Sequence, residues 1–196
     1  MILGITGGSG SGKTTLLKQI ETAGGIILDC DAIYHRLLQE DAALLRAIDE
    51  RFPNTVANGQ LDRKKLGEVV FADKNALQEL NQITHSAVKQ QVLQVLDQKP
   101  NLVAIDAIGL FESGLDALCD ATVAITAPEQ LRIQRLMQRE NISRDYAEKR
   151  IAAQHPDNWF QEKCTYTLEN SGTLEAFTAK CIAFLKQLGI MKSDEN

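Results

Sequence analysis

The sequence predicts an α/β protein, with a parallel sheet of about five strands in a three-layer arrangement. The chain has 196 residues, which suits one compact core, and its short β-rich apolar runs are followed by turn residues or helical patterns. This alternation is typical of βαβ units and so favours parallel pairing. The expected strands are Ile2–Thr6, 26–28, 102–105, 122–126 and 165–168. Helices are expected at Lys13–Thr22, at 129–139 and from residue 173 onward.

The stretch between the second and third predicted strands, 32–99, is too long for an ordinary crossover. Its helical patterns, such as 42–52 and 75–96, predict a helical insertion over one end of the sheet. We therefore expect a core of 1–31, 100–128 and 164–196, the insertion at 32–99, and a separate segment at 129–163. The polar residues 191–196 are expected to fray.

Composition and charge disfavour several classes of protein. Hydrophobic residues make up 44% and charged residues 24%, as in ordinary globular proteins. The net charge of -5 disfavours nucleic-acid and membrane-surface partners, which would call for a basic patch. The four cysteines have no metal-ligand spacing, so zinc is disfavoured and free thiols in a reducing compartment are favoured. Because no signal peptide or membrane-spanning run is recognisable, we expect a cytoplasmic protein.

The strongest local signal is a glycine-rich loop between the first predicted strand and the first predicted helix. Residues 7–14 read GGSGSGKT and fit the pattern G-x-x-x-x-G-K-[ST] in full. Glycines let the backbone approach phosphate oxygens, and the helix N-terminus behind them favours negative charge. We expect Lys13 to bridge the β- and γ-phosphates of ATP, and Thr14 to hold Mg²⁺. The predicted nucleotide-binding residues are Gly7, Gly8, Gly10, Ser11, Gly12, Lys13, Thr14 and Thr15.

Acidic residues follow two other predicted strands. Asp29 and Asp31 come directly after the second strand, on one side of any extended segment, at the sheet edge where the loop also lies. One of them could accept a proton from an attacking hydroxyl while the other caps the next helix, or both could be caps only. Asp106 ends the third strand, a position from which an acid holds Mg²⁺ in phosphate-loop enzymes, although any buried strand can end in Asp.

A row of arginines lies on the helix predicted at 129–139. Arg132, Arg135 and Arg139 are spaced i, i+3 and i+7, so they share one face. The row could project toward a polyphosphate, or it could be a solvated charged stripe. A second basic helix follows a short turn and begins at the capping residue Ser143. Two basic helices between sheet strands are typical of a closing lid, which excludes water and brings arginine to developing charge.

Seven sequence blocks, taken in order, resemble the dephospho-CoA kinase family. They are ITGGSGSGKT at 5–14, DCD at 29–31, LDR at 61–63 with VF at 70–71, LFESGL at 110–115, RLMQR at 135–139, RIAAQ at 150–154 and NSG at 170–172. The resemblance covers nearly the whole chain and implies a P-loop fold like that of nucleoside-monophosphate kinases. One departure is the stretch QHPDNW at 154–159, which is more aromatic than the polar stretch usual in the family.

The resemblance implies that ATP phosphorylates the ribose 3′-hydroxyl of dephospho-CoA, the last step of coenzyme A synthesis. It implies that the insertion is the CoA-substrate domain and that 129–163 is the lid. We also expect a monomer or a weak homo-oligomer. The implied site residues are Asp31 as the base, Lys13, Arg135 and Arg139 at the phosphates, Asn170 near adenine, Arg63 and His85 at the acceptor, and Thr14 and Asp106 at Mg²⁺.

Two alternatives stay open on the sequence. The first is a kinase of the same fold that acts on another nucleotide or nucleoside, although the long insertion and the LDR block disfavour it. The second is a nucleotide-gated switch without enzymatic activity, because Asp106 and Gly109 match the DxxG element of GTP-binding switches. The absence of the Asn-Lys-x-Asp element that reads guanine disfavours this alternative, and so does the arginine row.

Overall fold

The computed structural model describes residues 1–192 and places seven strands and nine α-helices among them. The strands are β1 (Ile2–Thr6), β2 (Ile26–Asp29), β3 (Val56–Ala57), β4 (Gln60–Leu61), β5 (Val103–Asp106), β6 (Ala121–Thr126) and β7 (Tyr166–Glu169). The helices are α1 (Lys13–Thr22), α2 (Cys30–Glu40), α3 (Ala42–Arg51), α4 (Arg63–Val70), α5 (Lys74–Leu96), α6 (Glu129–Glu140), α7 (Arg144–Ala152), α8 (Asp157–Lys163) and α9 (Leu174–Gln187).

Five of the strands form one sheet in the order β2-β5-β1-β6-β7. Strand β1 pairs in parallel with both β5 and β6, and β6 pairs in parallel with β7. The α/β class with a five-stranded parallel sheet is therefore confirmed, and each predicted strand is correct to within one residue at either end. The chain forms two compact units, Met1–Ile27 with the chain from Asn101 onward, and Leu28–Pro100.

The core of the first unit lies against the central strands of the sheet. Leu3 and Ile5 of β1 are fully buried in one cluster with Leu16 of α1 and Phe177 of α9. On the opposite face of β1, the side chains of Leu110 and Cys119 pack so closely on the backbone that position 4 must be glycine. A Cβ on Gly4 would lie 2.8 Å from Leu110 Cδ2 and from Cys119 Sγ. This close packing fixes β1, and with it the start of the glycine-rich loop.

The second unit is built from four helices and a short hairpin. Its buried residues include Leu37, Ile48, Leu66 and Val88, one from each of the helices α2 to α5. The hairpin pairs β3 with β4 across Asn58 and Gly59, which both have positive φ, as a two-residue hairpin turn requires. The sequence patterns predicted a helical segment here, and this hairpin was missed.

Each helix of the second unit begins at an aspartate. The capping residues of α2, α3, α4 and α5 are Asp29, Asp41, Asp62 and Asp73. Their carboxylates accept backbone N–H groups of the first turn, where the helix dipole also favours negative charge. Asp31 lies inside the first turn of α2, so the expectation that it shares an extended segment with Asp29 was wrong.

Helices α6 and α7 pack on each other through a small core of their own. Ile133 and Leu136 of α6 pack against Ala147 and Ile151 of α7. Asn141, with a φ of 52°, ends α6 in the left-handed conformation that commonly terminates helices. Of the residues expected to fray, Met191 packs on the core of the first unit, and 193–196 lie outside the described residues.

Candidate active site

The glycine-rich loop is held in a conformation that side chains would prevent. Gly7, Gly10 and Gly12 have φ values of 133°, 78° and 99°. A Cβ on Gly7 would lie 2.1 Å from the Ile125 carbonyl oxygen, and one on Gly12 would lie 2.2 Å from Asn170 Nδ2. The glycines are needed both for their dihedral angles and for the close approach of neighbouring groups.

The residues after the glycines sit at the start of α1. The Lys13 ammonium donates to the Gly7 carbonyl at 2.9 Å, so it spans the loop from its end to its beginning. Thr14 is exposed in the first turn, and the Thr15 N–H donates to the Gly12 carbonyl at 3.1 Å. A loop of this shape leaves a lysine and a helix N-terminus close to any bound anion.

Arg132 neither projects toward a ligand nor lies in a solvated stripe, so neither of the two alternatives for the arginine row holds for this residue. Only 3% of Arg132 is exposed. Its Nε donates to the Ser9 carbonyl at 3.0 Å, Nη1 to Asp157 Oδ1 at 2.9 Å, and Nη2 to Gln154 Oε1 at 3.1 Å. A Cβ on Gly8 would lie 2.0 Å from Nη2, so the loop itself covers this side chain. Arg132 is a structural support beneath the loop.

Arg135 lies at the loop together with Asn170. Its Nη1 donates to the carbonyls of Gly10 and Ser11 at 3.3 and 3.4 Å, and its Nη2 donates to Asn170 Oδ1 at 3.1 Å. Asn170 is 5% exposed, and its Nδ2 donates to the Ser11 carbonyl at 2.8 Å. Burial lowers the pKa of Arg135, although arginine stays charged at neutral pH. Asn170 thus joins the loop to Arg135, and its expected contact with adenine stays a prediction.

Arg139 lies one helical turn further along α6 and is more exposed. Gly10, Gly12, Arg135, Gln138 and Arg139 line an open cleft of about 370 Å³. Arg139 donates to Glu140 Oε1 at 2.5 Å, and Arg150 of α7 binds the other oxygen of the same carboxylate. These hydrogen bonds, from Arg139 first and then from Arg150, lower the pKa of Glu140. Glu140 therefore ties the two basic helices together beside the cleft.

Two residues that sequence reasoning did not assign, Gln154 and Asp157, complete the support of the loop. Gln154 binds Ser9 through both polar atoms of its carboxamide. Its Oε1 accepts the Ser9 N–H at 2.9 Å, and its Nε2 donates to Ser9 Oγ at 2.7 Å. Asp157 accepts from Arg132 and, through Oδ2, from the Ala127 N–H at 3.2 Å. Gln154 ends the RIAAQ block and Asp157 lies in the aromatic stretch after it. Both residues are so far from Ser9 in the sequence that no local pattern indicates their contact with the loop.

The unusual aromatic stretch also makes a contact with the LFESGL block. The His155 ring stacks on Trp159 with centroids 3.8 Å apart and an interplanar angle of 8°. His155 Nε2 lies 2.9 Å from Glu112 Oε1, and Phe111 meets Trp159 edge to face at 5.7 Å. The departure at 154–159 therefore fixes the segment that follows β5.

Asp106 lies where the sequence analysis expected, at the carboxyl end of β5. In the register of the sheet it is the partner of Ile5, two residues before the loop begins at Gly7. The Ala107 N–H donates to the Ile5 carbonyl at 3.1 Å and continues this pairing. The carboxylate is thus at the edge of the sheet from which the loop emerges, and oxygen ligands of this kind suit Mg²⁺.

The second unit carries the remaining predicted site residues. Asp31 is exposed in the first turn of α2, and His85 is half-buried on α5. Arg63 begins α4 and lines a cleft of about 180 Å³, whose other lining residues are Tyr34, His35, Leu38, Leu61, Leu66, Gly67, Val70, Phe71 and Leu80. Phe71 is 83% exposed at this mainly apolar cleft. The pKa of Tyr34 is raised, because the effect of burial is larger than the opposing effect of the Arg63 charge.

The fold and the loop define a phosphate-loop kinase of small molecules. A central parallel strand runs into the loop, a helix follows, and arginines of an adjacent helix reach the loop from the side. Comparisons with known proteins then give the family. The family model for dephospho-CoA kinase matches residues 1–176. The chain belongs to the dephospho-CoA kinase family, as the motifs predicted.

Individual relatives agree with this assignment along nearly the whole chain. A dephospho-CoA kinase of Lactobacillus johnsonii is 34% identical over 193 residues, covering 95% of this chain and 98% of that protein. A Thermus thermophilus protein of known crystal structure is 33% identical in sequence. Its structure superposes with a TM-score of 0.80 and covers 96% of this chain and 97% of that chain. Dephospho-CoA kinase from Campylobacter jejuni is 27% identical, with a TM-score of 0.69 over 97% and 98%.

Proposed function

We propose that this protein transfers the γ-phosphoryl group of ATP to the ribose 3′-hydroxyl of dephospho-CoA, giving CoA and ADP. The observation that carries the proposal is the family match over residues 1–176, which includes the loop, α6 and Asn170. In the transfer, the hydroxyl oxygen bonds to the γ-phosphorus as the bond from that phosphorus to the bridging oxygen of ADP breaks. The hydroxyl proton passes to a carboxylate of the protein.

The donor half of the site is the loop with its basic neighbours. Backbone N–H groups of a glycine-rich loop at a helix N-terminus bind phosphate oxygens, and Lys13 adds a positive charge. Arg135 and Arg139 line the cleft beside Gly10 and Gly12, so they stand where charge on the transferring group needs compensation. Asn170 positions Arg135 at the loop through a hydrogen bond of 3.1 Å. This preorganisation supports a role in turnover.

Two oxygen-bearing residues fit the divalent cation that kinases use. Asp106 ends β5 at the edge of the sheet from which the loop emerges, and Thr14 is exposed in the first turn of α1. We propose that these two residues hold Mg²⁺ directly or through water. When bound, the ion neutralises charge on the β- and γ-phosphates. Hydroxyl and carboxylate oxygens are the donors that Mg²⁺ prefers, so the residues fit the ion.

Asp31 is the proposed proton acceptor. Asp29 is the cap of α2, and its carboxylate accepts the Ala32 N–H at 2.9 Å. Asp31 has no such capping role, is exposed, and lies in the first turn of the helix that follows β2. The capping role that the sequence left open for both aspartates belongs to Asp29, which leaves Asp31 available for proton transfer.

The acceptor half is proposed to lie in the second unit. Arg63 stands at the rim of the 180 Å³ cleft, whose lining is mainly apolar apart from Tyr34 and His35. A cation beside an apolar groove suits an acceptor that carries both a diphosphate and a long uncharged arm. We propose Arg63 and His85 as contacts of dephospho-CoA. We also propose that the protein is cytoplasmic and is a monomer or a weak homo-oligomer.

One assay tests the reaction. Purified protein is incubated with ATP, Mg²⁺ and dephospho-CoA, and the products are identified by mass and by ADP release. We expect CoA and ADP in equal amounts, and little ADP when a panel of nucleosides and nucleoside monophosphates replaces dephospho-CoA. Rapid phosphorylation of a member of that panel, without formation of CoA, would overturn the proposal.

A matched pair of variants tests the base. Asp31→Asn should lower kcat by at least about 100-fold, because it removes the proton acceptor. Asp29→Asn should leave kcat within about threefold, since asparagine also caps helices well. A rate for Asp31→Asn within a few-fold of the wild type would remove Asp31 from this role.

A further inference from the structure

The phosphate-binding loop is held from outside at Gly10 and Ser11, by Arg135 and Asn170, and most extensively at Ser9. Gln154 Oε1 accepts the Ser9 N–H at 2.9 Å, and Gln154 Nε2 lies 2.7 Å from Ser9 Oγ. Arg132 Nε donates to the Ser9 carbonyl at 3.0 Å. All three polar groups of Ser9 are therefore bonded to residues more than 120 positions away, and only 5% of Ser9 is exposed.

Gln154 has the chemistry that this position needs. Its side chain must accept two hydrogen bonds, from the Ser9 N–H and from Arg132 Nη2 at 3.1 Å, while its amide nitrogen engages the Ser9 hydroxyl. A carboxamide offers an acceptor and a donor on one short planar group. Gln154 is itself placed by the end of α7, because its N–H donates to the Ile151 carbonyl at 3.0 Å.

The loop has little of its own to keep it in shape. Three of its residues are glycines with positive φ, and glycine loses more conformational freedom on ordering than any other residue. Within the loop, the Ser11 N–H reaches the Gly8 carbonyl at 3.2 Å, a long contact. Without hydrogen bonds from residues outside the loop, the loop would become ordered only when the nucleotide binds, and this cost would lower the affinity for ATP.

We infer that Gln154 is a positioning residue for ATP, which acts through Ser9 and touches neither the phosphates nor the acceptor. The inference rests on the loop being the ATP site of the proposed function and adds a residue that helps to keep that site in shape. It also connects the basic helix α7 to the loop, because Gln154 directly follows α7 and its C-cap, Ala153. Arg132 holds Gln154 and Asp157 together from the opposite side.

The test is Gln154→Met, which keeps the length of the side chain and removes its hydrogen bonds. We expect the Kd and the KM for ATP to rise about tenfold, and kcat at saturating ATP to change less than about threefold. The reason is that loop N–H groups bind the phosphates in the ground state and in the transition state alike. Gln161→Met is the matched control, because Gln161 is exposed and lines, with Gln154, an outer cleft of about 570 Å³.

A double-mutant cycle separates positioning from a merely structural role. Ser9→Ala alone should weaken ATP binding about threefold and should have no further effect in the Gln154→Met background, because the two residues act through one contact. Wild-type ATP affinity in folded Gln154→Met, even with a lowered Tm, would overturn the inference, and so would additive effects of the two substitutions. ATP affinity is measured by calorimetry without acceptor, so failure of dephospho-CoA as a substrate leaves this test unaffected.

Discussion

The guanidinium of Arg132 and the carboxylate of Asp157 form an ion pair of 2.9 Å at the base of the glycine-rich loop, and the arginine is almost fully enclosed. Asp157 is 28% exposed at its side chain and opens toward an outer cleft that Gln154 and Gln161 also line. The pair joins the start of α8 to α6 and, through the Ser9 carbonyl, to the loop. Arg132 is therefore a structural residue, although the sequence places it in one row with Arg135 and Arg139.

Replacing Arg132 should destabilise the protein. In Arg132→Met the Asp157 carboxylate loses its ion-pair partner and the Ser9 carbonyl loses its hydrogen-bond donor. Removing one member of a mostly buried pair costs about 3 kcal/mol of unfolding free energy. Urea denaturation measures it. Arg144→Met is the control, since Arg144 pairs with Glu148 on the surface, and such pairs contribute about 0.5 kcal/mol or less. Equal losses in both variants would contradict the structural role of Arg132.

Two glycine substitutions should have opposite results. Gly12→Ala requires a Cβ at 2.2 Å from Asn170 Nδ2 on a residue with φ of 99°, so ATP binding should fall by at least about 100-fold. Gly109→Ala places its Cβ no closer than 3.7 Å to Glu112 Oε2, without a positive φ, and should keep ATP binding. The unfolding free energy of Gly109→Ala should differ from that of the wild type by less than about 1 kcal/mol. Calorimetric titration with ATP distinguishes the two, and intact binding in Gly12→Ala would show that the loop rearranges.

Most of the fold was predictable, because its elements have local signals. The strands are apolar runs bounded by turn residues, and the loop between β1 and α1 has its own pattern of glycines and lysine. The hairpin β3–β4 had a signal too, since Asn58 and Gly59 are the residues that a tight turn prefers. It was missed because each strand has only two residues, too few for an alternating pattern.

The support of the loop was not predictable from the sequence. Helical spacing identifies the face that Arg132 shares with Arg135, but it does not tell which of them the loop covers. Ser9 and Gln154 are 145 positions apart, and no local pattern relates residues at such a separation. Asp157 lies in the aromatic stretch, whose effect on the site became interpretable only through its contacts with Arg132 and Ala127.

Arg135 should be needed for turnover more than for ATP binding. Arg135→Ala removes a preformed cation beside the loop, and loss of such a group in phosphoryl transfer lowers kcat by at least about 100-fold. Arg135→Lys should not restore the rate, because a single ammonium cannot reach Asn170 and the loop carbonyls together. Steady-state kinetics measure both variants, with Lys149→Ala on α7 as a control for removal of a surface cation. Near-normal turnover of Arg135→Ala would exclude a catalytic role.

Alkaline pH should destabilise the protein through its thiols. Burial, with help from Asp116 and Asp120, raises the pKa of Cys119 to about 12, and burial raises the pKa of Cys164 and Cys181 to about 11. Because the ordinary value is 9.0, the unfolded chain loses these protons first. The stabilising contribution is therefore complete below pH 9.0 and is lost as pH rises through 11 to 12.

The unfolding free energy, measured with urea at several pH values, should accordingly fall above pH 9.0. Cys119→Ala removes one titrating group and should reduce this slope by up to about one proton, even if the small cavity lowers stability at every pH. Lysines and tyrosines titrate in the same range, but they are present in both proteins and cancel in the comparison. An unchanged slope in Cys119→Ala would mean that this thiol titrates alike in the folded and unfolded chains, against the effect of its burial and of the two neighbouring carboxylates.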